Sequence, residues 1–355
     1  MTMEYRQLKG TSFTLSRIGF GGLALYYQSV DDALRLITAA LDRGINYFDC
    51  DEAGNQFIPS RVYEDTRTKL GQILATHRNE MVVGIKCMFA TADEVARDID
   101  RALQYIFKGT SREVIDLFHL AHVDVDEKLD LLLAPGGGLA AAEKAKDEGK
   151  IESLLIASHN PRVLLRGLKT GRFDVAEFPF TVIEQEYLQE IIPYCNQHNI
   201  GTIVMKPISG GQLASCATLS LRWIAQHEVD CIIPGMKSLQ ELEQNIAAVT
   251  CEQPLSAHEQ AELEATAQPI GAEYCHRCGY CLPCPQGIHI ISQFDIYKSN
   301  LFGIERKREI YQQMKSRGAR TAADCIACGQ CVEKCPFKLP VPELMERVER
   351  DLGMR

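Results

Sequence analysis

Eight short apolar runs punctuate the first 265 residues, and helix-like segments separate them. They are RIGFGG (17–22), INYFDC (45–50), MVVGIKC (81–87), VIDLFHLAH (114–122), ESLLIAS (152–158), FDVAEFPF (173–180), IGTIVMKP (200–207) and DCIIPG (230–235). Segments such as DDALRLITAALDRG (31–44) and ADEVARDIDRALQYIF (92–107) carry apolar residues at three- and four-residue intervals, the period of a helix with one buried face. Near-continuous apolar strands that alternate with helices demand a parallel sheet covered by those helices. An open doubly wound sheet meets that demand too. Eight repeats within about 250 residues match the closed barrel better. The expected class is therefore α/β, a (β/α)8 TIM barrel over residues 1–265 followed by a small, mainly helical domain over 266–355.

The second region is defined by cysteine. Of 14 cysteines, Cys275, Cys278, Cys281 and Cys284 form C-x2-C-x2-C-x2-C before Pro285, and Cys325, Cys328, Cys331 and Cys335 form C-x2-C-x2-C-x3-C before Pro336. Three thiolates at three-residue intervals let one short loop wrap an iron–sulfur cubane, with a fourth, Cys-Pro, ligand reaching the other cluster. Structural zinc usually takes two separated Cys-x-x-Cys pairs. The pattern predicts a ferredoxin-like region with two [4Fe–4S] clusters. Crossed ligation would give Cys275, Cys278, Cys281 and Cys335 to one cluster, and Cys325, Cys328, Cys331 and Cys284 to the other. The other six, Cys50, Cys87, Cys195, Cys216, Cys231 and Cys251, read as buried, inert thiols. Between the motifs, ISQFDIYKSNLFGI and ERKREIYQQMKS look helical. Arg306, Lys307, Arg308, Lys315, Arg317 and Arg320 make that stretch basic, either as a solvated face or as a docking site for an acidic electron-transfer partner.

Composition excludes several classes. A net charge of −9 over 355 residues argues against a nucleic-acid surface. No apolar run approaches the roughly 20 residues of a membrane span. The start, MTMEYRQLKGTSF, lacks the apolar core of a signal peptide, so a cytoplasmic location is expected. Gly136–Gly138 follow a charged helical segment and lack the spacing of a dinucleotide fingerprint, which makes them a turn.

In a parallel barrel, active-site residues gather at the C-terminal ends of strands. Asp49, Lys86, His119, His122, Ser158, Asn160, Lys206 and the run from Gly235 to Ser238 stand there. At this point the chain resembles the aldo-keto reductase family. YRQLKGTSFTLSRIGFGG is similar to the family's entry hairpin and first strand, YFDCDEAG to its "FDTA" segment, and LSLRWIAQHEVDCIIPGMKSLQELEQNI to its landmark helix and last strand. The resemblance implies hydride exchange between a nicotinamide cofactor and a carbonyl or alcohol. A tyrosine hydroxyl would protonate the oxygen, a lysine would lower the tyrosine pKa, an aspartate would hold the lysine, and a histidine would orient the substrate. Asp49 and Lys86 match two of these places. The tyrosine place five residues after Asp49 holds Gly54, but the register of YEDTRTKLG puts Tyr63 there across a loop insertion. The histidine place falls on Ala121, between His119 and His122. His122, nearer the strand end, is the preferred candidate.

The same resemblance assigns the cofactor site. Ser158 and Asn160 match the residues that bind the nicotinamide carboxamide. Glu177 stands where the family has a glutamine, and a carboxylate cannot donate to the carboxamide oxygen. Gly235, Met236, Lys237 and Ser238 resemble the segment that clasps the adenosine phosphate, Gln244 and Asn245 would reach the adenine, and Lys206 lies at the same mouth. Lys237 suits a 2′-phosphate, which favours NADP(H) while leaving NAD(H) open. The expectation is an NAD(P)H-linked oxidoreductase, the clusters serving electron transfer or support. Gly54, Ala121 and Glu177 keep a second reading open, non-redox chemistry on a sugar-like substrate, as in a lyase or epimerase; a third is a non-catalytic electron-transfer or scaffold protein whose barrel no longer binds cofactor.

Overall fold

The computed structural model describes residues 3–50, 60–299 and 303–353. The chain opens with an antiparallel hairpin, β1 (Tyr5–Gln7) and β2 (Thr14–Ser16), paired Tyr5 to Ser16. Eight parallel strands follow: β3 (Phe20–Gly21), β4 (Tyr47–Cys50), β5 (Val82–Cys87), β6 (Ile115–Leu120), β7 (Ile151–Ala157), β8 (Val175–Pro179), β9 (Gly201–Met205) and β10 (Cys231–Ile233). Each pairs with its sequence neighbour. The ring closes between the first and last strands. There Gly19 N donates to Ile232 O at 2.8 Å, Ile232 N to Arg17 O at 3.0 Å, and Gly21 N to Pro234 O at 3.0 Å. All eight expected strands are present, seven within their expected segments and β7 starting one residue earlier, at Ile151. Closure disposes of the open-sheet alternative.

The outer ring comprises α1 (Val30–Asp42), α2 (Ser60–His77), α3 (Ala92–Ala102), α4 (Asp126–Leu133), α5 (Gly138–Asp147), α6 (Pro161–Leu168), α7 (Ile191–Gln197), α8 (Ala217–Ala225), α9 (Leu239–Val249) and α10 (Ala257–Gly271). Strand alternation divides the apolar residues. Phe48, Phe118, Ile156 and Val204 face the helices in the main core, whereas Tyr47, Leu117, Leu155, Val175 and Ile203 fill the barrel interior. Gly136, with φ of 71°, lies in the turn before α5, as its sequence suggests.

The iron–sulfur region adds α11 (Ile290–Lys298), α12 (Ile304–Ser316), α13 (Gln330–Lys334) and α14 (Val341–Leu352) around their own core of Ile288, Phe294, Tyr311, Leu344 and Val348. Helix α10 runs across the expected division at 265/266 from a capping box at Ser256 and Glu259, and places Leu263 and Ala267 in the barrel core. Two expectations shift. Cys251 is only half-buried, unlike the other five scattered thiols. The basic stretch is largely engaged at home: Arg306 pairs with Glu309, Lys315 with Glu349 and Arg320 with Asp324, while Lys307 and Arg308 donate to the carbonyls of Tyr297 and Asp351. Among the described residues, no helix is long and apolar enough to cross a membrane.

One buried ion pair pins the N-terminal side of the barrel. Arg78, just after α2, forms a fork to Asp116 at 2.7 and 2.9 Å, and Asp116 also accepts from Val83 N at 2.8 Å. Both side chains are fully enclosed. Arg112 also pairs with Asp116, so Arg78→Met leaves the carboxylate one partly exposed partner and should cost about 3 kcal/mol of stability, as measured by urea denaturation.

Candidate functional site at the barrel mouth

Period-two alternation turns Tyr47 and Asp49 on β4, Lys86 on β5, His119 on β6 and Glu177 on β8 into the barrel. Lys86 Nζ lies 2.6 Å from Asp49 Oδ2 and 2.8 Å from Glu177 Oε1. His119 Nδ1 lies 3.2 Å from Glu177 Oε2 and 3.7 Å from Asp49 Oδ1, and its Nε2 is 3.3 Å from the Tyr47 hydroxyl. Gly84 makes room for them, because a Cβ there would come within 2.5 Å of both His119 Nε2 and Tyr47 Oη. Asp49, His119 and Glu177 have the donor set of a cation site, and the ammonium of Lys86 supplies the cation. Burial pushes the Glu177 carboxyl up, but Lys86 and the hydrogen bond to His119 more than reverse this and hold it at about 2. Burial, reinforced by Asp49 and Glu177, raises the Tyr47 hydroxyl well above its ordinary value.

Asp49 and Lys86 thus meet as expected. Glu177 is not a carboxamide ligand in this arrangement: it is the second carboxylate on Lys86. His119 belongs to this interior group and is fully buried. Tyr63 lies on α2, and its side chain falls outside the described residues, as does Gly54.

A second polar group stands above the first, where the strands end. His122 is 42% exposed, has φ of 52°, and places Nδ1 3.5 Å from Asp124 Oδ2. Asp124 accepts from the backbone N of His159 at 2.6 Å and lies 3.2 Å from His159 Nδ1. The far nitrogen of that buried ring, Nε2, is 2.8 Å from Lys206 Nζ. Lys206 also has a positive φ, 51°. Left-handed backbone at non-glycine residues costs on the order of 1–3 kcal/mol and gathers at functional sites. Burial, then the Lys206 charge, lowers the His159 pKa to about 3. Burial raises the Asp124 carboxyl, but its two histidine neighbours outweigh that and hold it well below the usual range.

Several of the expected cofactor residues are already engaged. Ser158 donates to Val123 O at 2.7 Å. Asn160 caps α6 through Oδ1, and its amide donates to Asp124 O at 3.0 Å and Cys278 O at 2.9 Å. Around β10, Gly235 bridges Gly21, Met236 is buried, Lys237 is exposed, and Ser238 caps α9. Glu241 already accepts from Lys237 N at 2.6 Å. On α9, Gln244 is exposed and Asn245 buried.

The two cysteine motifs share one backbone course. Arg277 and Gly279 flank Cys278 with φ of 58° and 78°, and Ala327 and Gly329 flank Cys328 with 52° and 78°. Left-handed residues at these positions turn backbone N–H groups toward an enclosed anionic group. Cys281, Cys284, Cys325, Cys328 and Cys331 line one cavity, which brings Cys284 to the later motif. Cys335 is close enough to Cys278 and Cys281 for its charge to act on both. Burial pushes the Cys275 and Cys281 thiols to about 12, so thiolates form there only when a cationic group holds them. This donor set fits iron–sulfur clusters.

The first motif sits on the barrel mouth. Besides the Asn160 bond, Tyr274 donates to Glu184 at 3.0 Å, His276 Nδ1 lies 2.7 Å from Glu186, and Arg162 stacks on Tyr280 at 5.9 Å. Arg277 pairs with Asp295 on α11 at 2.7 Å. Of these mouth residues, sequence reasoning passed over Tyr47, Asp124 and His159. Tyr47 was open to the period-two argument from Asp49, and His159 lies between Ser158 and Asn160. Asp124 carried no local signal.

A closed parallel barrel with ionised groups at its strand ends, joined to twin cysteine loops, defines an oxidoreductase with an iron–sulfur domain. The chain belongs to the aldo/keto reductase family, whose model matches residues 17–216, and residues 271–339 match the 4Fe-4S dicluster domain. It is 23% identical over 334 residues to the L-galactose dehydrogenase of Arabidopsis thaliana, covering 81% of this chain and 98% of that one. It is 24% identical over 205 residues to the D-threo-aldose 1-dehydrogenase of a Pseudomonas species, covering 52% and 62%. Among solved structures, the holo form of aldo-keto reductase AKR11C1 from Bacillus halodurans superposes with a TM-score of 0.61 at 20% identity, covering 74% of this chain and 96% of that one.

The depressed Glu177 pKa has a consequence for stability. Its contribution is complete above the ordinary carboxyl value of 4.5 and is lost as pH falls toward about 2. Glu177→Gln should flatten the decline of stability between those values, as read by denaturant unfolding at stepped pH; an unchanged decline would contradict the assignment.

Proposed function

We propose that this protein is a nicotinamide-linked oxidoreductase of the cytoplasm that acts on the carbonyl or alcohol of a sugar-like small molecule. The observation that carries the reading is Lys86, held as a cation at the barrel mouth by Asp49 and Glu177. A fixed positive charge there stabilises negative charge that develops on a substrate oxygen. Two relatives that bear the names of sugar dehydrogenases support an aldose or polyol as the substrate class.

When bound, the nicotinamide supplies or accepts the hydride. Lys237, at the exposed start of α9, gives a cation for a 2′-phosphate, which supports NADP(H); Glu241 on the neighbouring N–H brings negative charge to the same place and keeps NAD(H) in contention. Gly235, Met236, Ser238, Gln244 and Asn245 complete the proposed adenosine side. Ser158 and Asn160 would hold the carboxamide by exchanging their bonds to the carbonyls of Val123 and Cys278. Tyr63 and His122 are the proposed proton donors. Lys86 already carries two carboxylates, so it lowers a nearby phenol pKa less than a singly paired lysine would.

Two [4Fe–4S] clusters are proposed for the cysteine loops. Cys275, Cys278, Cys281 and Cys335 would hold one, beside the barrel, and Cys284, Cys325, Cys328 and Cys331 the other. They supply one-electron chemistry for a partner protein or brace the mouth. The bond from Asn160 to Cys278 favours a second reading, in which the cysteine loop keeps the carboxamide place and the barrel works without nicotinamide.

Fluorescence titration with NADPH and NADH separates the two readings. Saturable binding supports the first, and none with either nucleotide supports the second. With L-galactose as a trial substrate, Lys86→Met should lower kcat by about 10³-fold and leave nucleotide binding intact; near-wild-type turnover would refute the role of Lys86. Anaerobically purified protein should carry about eight irons per chain, and four would remove one cluster.

A further inference from the structure

The four side chains above the Lys86 group form a line of polar contacts drawn from three strand ends, hydrogen-bonded from Lys206 through His159 to Asp124 and extended by the 3.5 Å contact of Asp124 with His122. Lys206, after β9, can only donate, so His159 Nε2 accepts from it at 2.8 Å. That fixes the tautomer: His159 carries its proton on Nδ1 and gives it to Asp124 Oδ2 at 3.2 Å. Ser158 Oγ, at 3.3 Å, and the His159 backbone N, at 2.6 Å, also point at Asp124. The second histidine on this carboxylate is His122, with Nδ1 at 3.5 Å and its ring 5.0 Å from that of His159. His159 is buried and His122 is the exposed end. Both ends of the line, His122 and Lys206, hold left-handed backbone, strain that a purely structural contact does not require.

We propose that His122, Asp124, His159 and Lys206 form the proton-transfer unit of the barrel mouth. His122 is its catalytic residue, and Asp124, with His159 and Lys206 behind it, is its positioning group. The proposal deepens the oxidoreductase reading above and rests on it for the reaction. In reduction, the carbonyl carbon gains the hydride and the oxygen takes a proton from the His122 imidazolium, which is left neutral. In oxidation, neutral His122 takes the hydroxyl proton as hydride leaves the carbon. With Nδ1 turned to Asp124, the substrate oxygen meets Nε2. Asp124 faces Nδ1 and fixes the ring, as a carboxylate does for a catalytic histidine. Lys206 therefore serves the proton unit more directly than the cofactor.

The charged groups around His122 come from every neighbouring element: Asp124 beside it, His159 after β7, Lys206 after β9, and Asp295 with Arg277 from the iron–sulfur region, Asp295 being close enough to act on both Lys206 and His159. His122, Asp124 and His159 also have the donor set of a metal site. Lys206 argues for the proton reading, because its ammonium already sets positive charge against His159.

Carbethoxylation by diethyl pyrocarbonate, followed residue by residue by mass spectrometry on the full chain with its clusters, reads the nucleophilicity of His122 Nε2 at one fixed pH without turnover. Asp124→Asn, whose amide no longer draws the ring proton to Nδ1, should lower the rate of His122 modification about tenfold, and Asp124→Glu should restore it. An unchanged rate in folded Asp124→Asn would overturn the proposal, as would one zinc per chain bound through these residues. In turnover of L-galactose, His122→Gln should lower kcat/KM by about 10²-fold with nucleotide affinity kept. Failure of the wild type to bind either nucleotide would sink the nicotinamide reading instead, and the carbethoxylation rates would still decide the proton unit.

Discussion

One carboxamide joins the two halves of this protein. Asn160 starts α6 through its side-chain oxygen, ties the end of β7 to the end of β6 through Asp124 O, and holds the first cysteine loop through Cys278 O. An asparagine followed by proline is an ordinary way to begin a helix. Here the same residue uses both amide hydrogens at the barrel mouth. Tyr274, His276 and Tyr280 add further contacts with the barrel around that seating.

Beneath this lid of cysteine loop, the barrel carries more charge than its interior can hold unpaired. A buried ion costs several kcal/mol unless it is met by a partner. Lys86 is met twice, by Asp49 and Glu177, and His119 with Tyr47 closes the set. The outcome is a fixed cation facing the mouth, with a separate histidine–carboxylate line above it. The proposed division of labour differs from a tyrosine–lysine pair: the lysine would set the field, and proton exchange would fall to a group nearer solvent.

Much of this was legible in the sequence. The eight apolar runs located all eight strands, because a strand buried on both faces has to read as continuous hydrophobicity. Cys-x-x-Cys spacing announced the second region for a similar reason, since ligands on one loop must follow one another closely. The sequence was weaker where function depends on what lies across the barrel. Glu177 looked like a flawed carboxamide ligand because its true partners, Lys86 and His119, are far away along the chain. Ser158 and Asn160 looked available because nothing local says that Val123 and Cys278 use them. Helix α10 crosses the expected division at 265/266 and carries on to Gly271, because its capping box at Ser256 announces where it starts and nothing as plain marks where it ends.

If the mouth and the cysteine region form one site, a nicotinamide that takes the Asn160 amide must disturb the cluster held by the Cys278 loop, and the disturbance must be mutual. Electron paramagnetic resonance of the dithionite-reduced protein, with and without saturating nicotinamide nucleotide, measures this directly. The account predicts that the nucleotide shifts the g-values of one of two cluster signals and leaves the other in place. Superimposable spectra at proven saturation would contradict it.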